Sequence, residues 1–329
     1  MDWTGKKVLI TGAGGFIGSH LVEEMARRGA GVRAMVRYNS RNHWGNLELL
    51  PGEIKRGIEV IAGDVRDPFF VDAAAEGVDT VFHLAALIAI PYSYAAPQSY
   101  VDTNVTGTLN VLQAARRHGA RKIVHTSTSE TYGTALYTPI DEKHPLQGQS
   151  PYSASKIGAD KLAESFFRSF DLPVATIRPF NTFGPRQSAR AVIPTIVSQA
   201  LTRDRVELGS LSPVRDLTFV GDTVSGFVRV AEVPETAGEV INVGTGQGVT
   251  VGELAERILA LLGVSVPITT SEERVRPEKS EVFTLICGNA KARELLNWRP
   301  ETSLDAGLGA VIDWVRSNLD AFKPDIYNV

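Results

Sequence analysis

The sequence predicts an α/β fold, a doubly wound parallel sheet followed by a smaller C-terminal α/β unit, and three observations carry that prediction. Short apolar runs alternate with segments of helical period over the first 180 residues. The first run closes in a glycine-rich turn that opens directly into a helical stripe. Beyond Asn181 the alternation loosens, so residues 1–180 are expected to form one domain and 181–329 another, with 217–244 packing back onto the first.

Residues 6–11 read as a buried strand bounded by Gly5 and Gly12. Phe16, Ile17, Leu21, Val22 and Met25 then repeat at helical spacing until Gly29 stops them. Gly12, Gly15 and Gly18 lie in this turn: the first permits the tight bend, the second clears space for a pyrophosphate, and the third lets helix pack on strand. This is the arrangement of a Rossmann-type dinucleotide site, and Phe16 and Ile17 share its wall. The second strand, 31–36, is followed by Arg-Tyr-Asn-Ser-Arg and by no carboxylate. Arg37, helped by Arg41 or Arg33, suits a 2′-phosphate, so the cofactor expected is NAD(P), with NADP favoured over NAD. Residues 58–64 form the third strand, placing Asp64 and Val65 at the adenine edge, and Asp67-Pro68 opens a helix over 68–76. The fourth strand, 78–86, ends in Leu84, Ala85 and Ala86, small enough for the backbone to approach a cofactor.

Two prolines make 87–97 a loop with a short helix in which Tyr92 and Ser93 are placed to touch substrate. A helix over 99–118, a strand at 121–127, a helix over 151–169 and a strand at 173–180 complete six strands of the first sheet. The remaining elements are helices near 191–204, 221–232, 252–262, 288–296 and 303–318, with short strands at 206–209, 239–246 and 265–269; PGEIKRG at 51–57 reads as a surface loop.

At 329 residues and 43% hydrophobic content the chain can bury a sizeable core. A net charge of −3 without a basic run argues against nucleic acid as a partner. The lone Cys287 supplies no disulfide framework or thiolate metal site, and the six histidines form no ligand set, so no metal is expected. There is no run of 18 apolar residues and no signal-peptide pattern at the start. A cytoplasmic protein that makes no membrane contact is therefore expected.

The chemistry concentrates in 123–156. Ser150 is suited to cap, and Pro151 to begin, a helix that carries Tyr152 and Lys156 on one face four residues apart. An ammonium beside a phenol favours tyrosinate, a base for a sugar hydroxyl whose carbon gives hydride to a nicotinamide, and Lys156 can also hold the nicotinamide ribose.

TGAGGFIGSH, GDVRD, FHLAA, STSETYG, YSASK, RPFNTFGPRQ, RDLTFVGD, NVGTG and LLNWRP together resemble the extended short-chain dehydrogenase/reductase family, in its nucleotide-sugar epimerase, dehydratase and decarboxylase branch. The resemblance implies that Thr128, Ser129 and Glu130, with Tyr152 and Lys156, form the catalytic set, and that Ser127 lies at the substrate. Glu130 would remove the C5 proton after C4 oxidation, Thr128 would stabilise charge at O4 or Tyr152, and Ser129 stands where nucleotide-glucose dehydratases carry an aspartate. Asn181, Arg186, Arg215 and Arg276 would hold the nucleotide diphosphate. The wider pattern looks closest to 4,6-dehydratases of GDP- or UDP-linked N-acetylglucosamine in amino-sugar pathways of the legionaminic-acid type. UDP-glucuronate decarboxylase, C4-epimerase and a catalytically silent NAD(P)-sensing regulator are the alternatives. No basic residue in 87–97 offers itself to a uronate. The family also implies a homodimer joined through the helices starting near 99 and 151.

Overall fold

The computed structural model describes residues 2–326. Its first half runs β1 (Lys7–Thr11), α1 (Phe16–Arg27), β2 (Gly31–Arg37), α2 (Gly52–Gly57), β3 (Glu59–Gly63), α3 (Pro68–Ala75), β4 (Thr80–His83), α4 (Ile90–Ala95), α5 (Pro97–Tyr100), α6 (Gly107–Arg117), β5 (Lys122–Thr126), α7 (Pro151–Phe170) and β6 (Val174–Pro179). There follow β7 (Asn181–Phe183), α8 (Val192–Thr202), β8 (Val206–Leu208), β9 (Val214–Arg215), β10 (Leu217–Phe219), α9 (Val220–Glu232) and β11 (Val240–Val243). The chain ends with β12 (Val249–Thr250), α10 (Val251–Leu262), β13 (Ile268–Thr270), β14 (Thr284–Leu285), α11 (Ala290–Leu296) and α12 (Leu304–Ser317).

The main sheet has seven parallel strands in the order β11-β6-β5-β4-β1-β2-β3, one more than the six expected. The seventh comes from Val240–Val243, which pairs with Thr176–Pro179. The order reverses between β1 and β4, and in open α/β sheets ligands bind at such a switch point, beyond the carboxyl ends of the strands. One face of the sheet packs on α1 and α9 through Leu21, Met25, Phe227 and Val228. The other packs on α3, α6 and α7 through Val71, Leu112, Ala163 and Phe166. A separate apolar cluster gathers α8, α10 and α12.

Two readings from the sequence need correction. Residues 52–57 are a helix, because Ile54 is buried in the first core beside Leu47 and Leu50, and burying that side chain favours one helical turn over an open loop. The helix expected over 99–118 begins at Pro97 and is π-wound from Val101 to Thr106 before continuing as α6. The side chain of Asn104 in that segment is buried: it accepts from Leu87 N at 2.8 Å and donates to Leu87 O and to Ser155 Oγ, each at 2.9 Å. The wider turn thus ties the end of the β4 loop to α7.

Late motifs acquire structural reasons. Asp216 is buried and accepts from Thr245 N and Oγ1, Gly246 N and Cys287 N at 2.6–3.0 Å, fixing the loop after β11. Asp222 accepts from Glu301 N and Thr302 N at 3.0 and 3.1 Å, while the Trp298 indole donates to Asp222 O, docking the C-terminal elements on α9.

Candidate active site

A cleft of about 1220 Å³ lies over the carboxyl ends of the strands, and most of the expected site residues line it. Its floor at one end is the glycine turn. Gly12 has φ +70°, and a Cβ there would stand 2.7 Å from Ala85 N; a Cβ on Gly18 would stand 2.2 Å from Gly12 O. No larger side chain fits either place, so the first and third glycines do what their spacing implied. Gly15 is the N-cap of α1 with no side-chain cap, which leaves the first N–H groups of that helix to face the cleft. Gly14, not singled out from the sequence, gives way to the carbonyl of Trp44, whose loop closes this end.

Arg37, Asn39, Ser40 and Arg41 line the same end. Arg33 does not join them: it pairs with Glu59 at 2.9 Å and donates to Ala74 O, so it cannot help at a 2′-phosphate. Asp64, Val65 and Ala85 line a small adjoining pocket of about 140 Å³ that shares Gly12 and Arg37 with the cleft. The Asp64 carboxylate is already taken by Arg66 at 2.6 Å. Leu84 and Ala86 line the cleft itself. A glycine cradle, an uncapped helix end and an apolar slot beside them fit a dinucleotide.

At the centre, Tyr152 and Lys156 are both buried and both face the cleft. Their helix starts as its sequence implied: Ser150 and Ser153 form a reciprocal cap and Pro151 occupies the first turn. One helical step further on, Asp160 accepts from His125 Nε2 at 2.9 Å, Ser127 Oγ at 2.6 Å and Arg178 Nη2 at 2.7 Å. The Arg178 guanidinium in turn lies 4.6 Å over the Tyr132 ring. None of these three roles was assigned from the sequence, although the Tyr152, Lys156, Asp160 row at steps of four was there to be seen. Burial among these cations leaves the Asp160 carboxyl far below the ordinary range, because its hydrogen bond with His125 and the charge of Arg178 outweigh its desolvation.

The tyrosine–lysine expectation changes in its physics. Burial pushes the Tyr152 phenol well up, opposed by the Thr128 hydroxyl and by Arg190. Burial also pulls Lys156 down to about 8, opposed by Asp160. Burial thus works against both charged forms, the tyrosinate and the ammonium. A guanidinium keeps its charge throughout. Arg190, a lining residue absent from the expected set, is the permanent cation beside the phenol.

Thr128, Ser129 and Glu130 follow β5 in a single tight turn capped by the Thr128 hydroxyl, which accepts from Glu130 N at 3.2 Å. Glu130 is 9% exposed and near enough to Tyr152 and Arg215 to act on both. Among the described residues its carboxylate makes no hydrogen bond or ion pair, so it is not a backbone cap. Ser127 lines the cleft, but its hydroxyl is held by Asp160.

The diphosphate end is mixed. Asn181 lines the cleft with its Oδ1 buried and without a partner. Arg215 and Arg276 line it too, both drawn to Glu281 at 3.2 and 3.6 Å. Arg186 does not: it is bound to Glu23 of α1 at 2.6 Å. Tyr92 is 44% exposed and stacks on Tyr100 away from the cleft, and Ser93 is buried with its hydroxyl on Ile90 O. Both were expected at the substrate, but the short α4 turns them aside. Among the described residues no cluster of three or more His, Cys, Asp or Glu could hold a metal ion, and no helix is long and apolar enough to cross a membrane.

Residues 9–311 match the family model for GDP-mannose 4,6-dehydratase. The chain is 34% identical to a UDP-glucose 4-epimerase of Mycolicibacterium smegmatis, over 94% of this chain and 99% of that protein. It is also 34% identical to a dTDP-glucose 4,6-dehydratase of Streptomyces antibioticus, over 96% of this chain and 94% of that one. The dTDP-glucose 4,6-dehydratase DesIV of Streptomyces venezuelae, solved with NAD bound, superimposes with a TM-score of 0.86 at 30% identity, covering 97% of this chain and 99% of that one. With its glycine cradle, Tyr152/Lys156 pair and seven-stranded sheet, the chain belongs to this family: it is an NAD(P)-binding, nucleotide-sugar-modifying enzyme of the extended short-chain dehydrogenase/reductase dehydratase–epimerase group.

Proposed function

We propose that the enzyme is a 4,6-dehydratase of a nucleotide-linked N-acetylglucosamine, GDP- or UDP-activated. The observation that carries the reaction type is the unengaged Glu130 carboxylate beside Tyr152. The amino-sugar part rests on the resemblance of 37–45, 86–94, 134–160 and 178–195. Tyr152, as the tyrosinate that Thr128 and Arg190 stabilise, takes the proton of the C4 hydroxyl as that carbon is oxidised to a ketone, and becomes the neutral phenol. The ketone acidifies C5–H, and Glu130 removes that proton as the C6–O bond breaks and water leaves. Reduction at C6 and reprotonation at C5 give the 4-keto-6-deoxy sugar, a net loss of one water. The nicotinamide dinucleotide supplies the site for the hydride between its removal from C4 and its return to C6. Ser129 carries no acidic proton, so Glu130 or a water must protonate the departing hydroxyl.

Arg215, Arg276 and Asn181 are suited to the diphosphate, with nucleotide sugar held between 1–180 and 181–329. NADP over NAD rests on Arg37 and the lack of a carboxylate after β2. A cytoplasmic homodimer through α6 and α7 belongs to the same reading and is checked by light scattering.

C4-epimerisation is the second reading, since an epimerase and a dehydratase are equally similar to the chain. Decarboxylation loses the objection drawn from 87–97, because Arg190 brings a cation from another segment. Mass analysis after incubation with GDP-GlcNAc, UDP-GlcNAc, GDP-mannose, UDP-glucose and UDP-glucuronate decides: loss of about 18 mass units supports dehydration. Loss of about 44, or an isomer of unchanged mass, replaces the reading; no conversion at all returns weight to a regulator.

A further inference from the structure

The turn that follows β7 is docked on α1. Phe16, His20 and Glu23 lie at i, i+4 and i+7 on one face of that helix, and each meets the turn 184–186. A Cβ on Gly184 would stand 3.6 Å from Phe16 Cζ, His20 Nε2 donates to Pro185 O at 3.0 Å, and Arg186 Nη2 binds Glu23 Oε2 at 2.6 Å. Edge-to-face contact between Phe16 and His20 at 5.8 Å keeps the imidazole on this face. The loop before α2 closes the dock from a third side: Asn46 Nδ2 donates to Arg186 O at 3.0 Å, and Asn46 N donates to Gly14 O of the glycine turn at 2.9 Å.

Both ligand ends of the cleft adjoin this dock. Gln187 and Arg190, just after Arg186, line the cleft, as do Gly15 and Phe16 at the start of α1 and Trp44 and Gly45 just before Asn46. Arg186 itself is left-handed, with φ +67°, a conformation that a non-glycine residue keeps only when its surroundings impose it. The hold is incomplete: among the described residues Arg186 Nη1 is buried without a hydrogen bond, so the guanidinium uses one prong of its fork. A strained turn held by one ion pair and two carbonyl contacts can be made and lost. A dinucleotide on the glycine turn and a nucleotide sugar on the wall after Arg186 would order the same segment, and each would lower the cost of ordering it for the other.

We propose that Arg186, with Glu23 and Asn46, is a positioning residue that couples the two sites, so that bound nucleotide sugar retards escape of the dinucleotide. A hydride taken from the sugar and later returned to it is lost if the dinucleotide leaves in between. The proposal therefore holds for dehydration and epimerisation alike, and does not depend on which sugar is the substrate.

The test follows the fluorescence of bound NADH or NADPH on rapid dilution of the loaded enzyme, with and without saturating UDP-GlcNAc, UDP-glucose or GDP-mannose. The reduced dinucleotide cannot oxidise the sugar, so retention is read apart from turnover. At least one of these compounds should slow escape by about 10-fold or more. In Arg186→Leu the slowing should fall to about 2-fold or less, with escape from the sugar-free enzyme changed by less than about 3-fold; Asn46→Ala, which removes only the bond between the loops, should lose part of the slowing. Amides of 184–190 should exchange hydrogen more slowly when the sugar binds to the wild type, and not in Arg186→Leu. Full slowing in Arg186→Leu means that the sugar merely obstructs the exit, and overturns the proposal. So does no slowing in the wild type, a faster escape with and without sugar alike, or unchanged exchange at 184–190. Should Arg186→Leu fail to fold, full slowing in Asn46→Ala overturns it alone.

Discussion

The two walls around Tyr152 are built on opposite principles. Behind it, Asp160, His125, Ser127 and Arg178 hydrogen-bond to one another at 2.6–3.2 Å with almost no exposure, and of their buried side-chain atoms His125 Nδ1 alone is left without a partner among the described residues. In front, Glu130 and Arg190 lack side-chain partners among the described residues, and Asn181 Oδ1, Gln187 Oε1 and Arg276 Nη1 are buried without hydrogen bonds. A closed network fixes geometry, and buried groups left open store affinity for whatever completes them. The difference separates holding a catalyst still from recognising a substrate.

Substitutions can break or sharpen that contrast. The largest effect should come from Tyr152→Phe, which removes the group between the walls: C4 oxidation should drop by about 10²–10⁴-fold, read as loss of cofactor reduction on substrate addition. Reduction at the normal rate would show that another group takes the proton. On the front wall, Glu130→Gln should let reduced cofactor accumulate while elimination falls by about 10²-fold or more, with solvent deuterium no longer entering C5. Unchanged turnover would remove Glu130 from the mechanism.

On the back wall, Asp160→Asn should cost about 3–5 kcal/mol of stability in denaturant unfolding, since it leaves Arg178 buried without its anion. The pH dependence has a definite sign. The folded Asp160 carboxyl lies below its ordinary 3.8, so its contribution is complete above about pH 5 and is lost as pH falls through and below 4. The variant should therefore have a flatter acid limb, and an identical limb would show that the anion is not held as described. The smallest effect belongs to Glu281→Gln, which releases Arg215 and Arg276 from a competing carboxylate and should tighten nucleoside diphosphate binding by about 2- to 10-fold. Weaker binding would make Glu281 a ligand instead of a competitor.

What could be read from the sequence follows the same division. The strands, the glycine turn, the cap of α7 and the Ser-Glu turn depend on neighbours within a few residues, and spacing reveals them. The back wall joins β5, α7 and β6 across 125–178 and is not visible to local pattern, whereas β11, the second strand partner of β6, arrives from 240, within the stretch expected to pack back on the first domain. Arg186 and Arg190 are equally good phosphate or sugar ligands by type. Only the fold shows that Glu23, 163 residues away, claims the first and leaves the second free. Tyr92 and Arg33 were misplaced for the same reason: their partners lie in other elements.

The π-wound stretch at Val101–Thr106 carries a genetic consequence. A π turn is an α-helix with one residue too many, so deleting a single residue there would leave a better helix and a worse enzyme. The shortened segment would swing Asn104 by about 100° about the helix axis, away from Leu87 and Ser155. Helical content would rise while the loop carrying Ala86 and Leu87 lost its anchor to α7. For such a deletion, circular dichroism and catalytic rate should move in opposite directions.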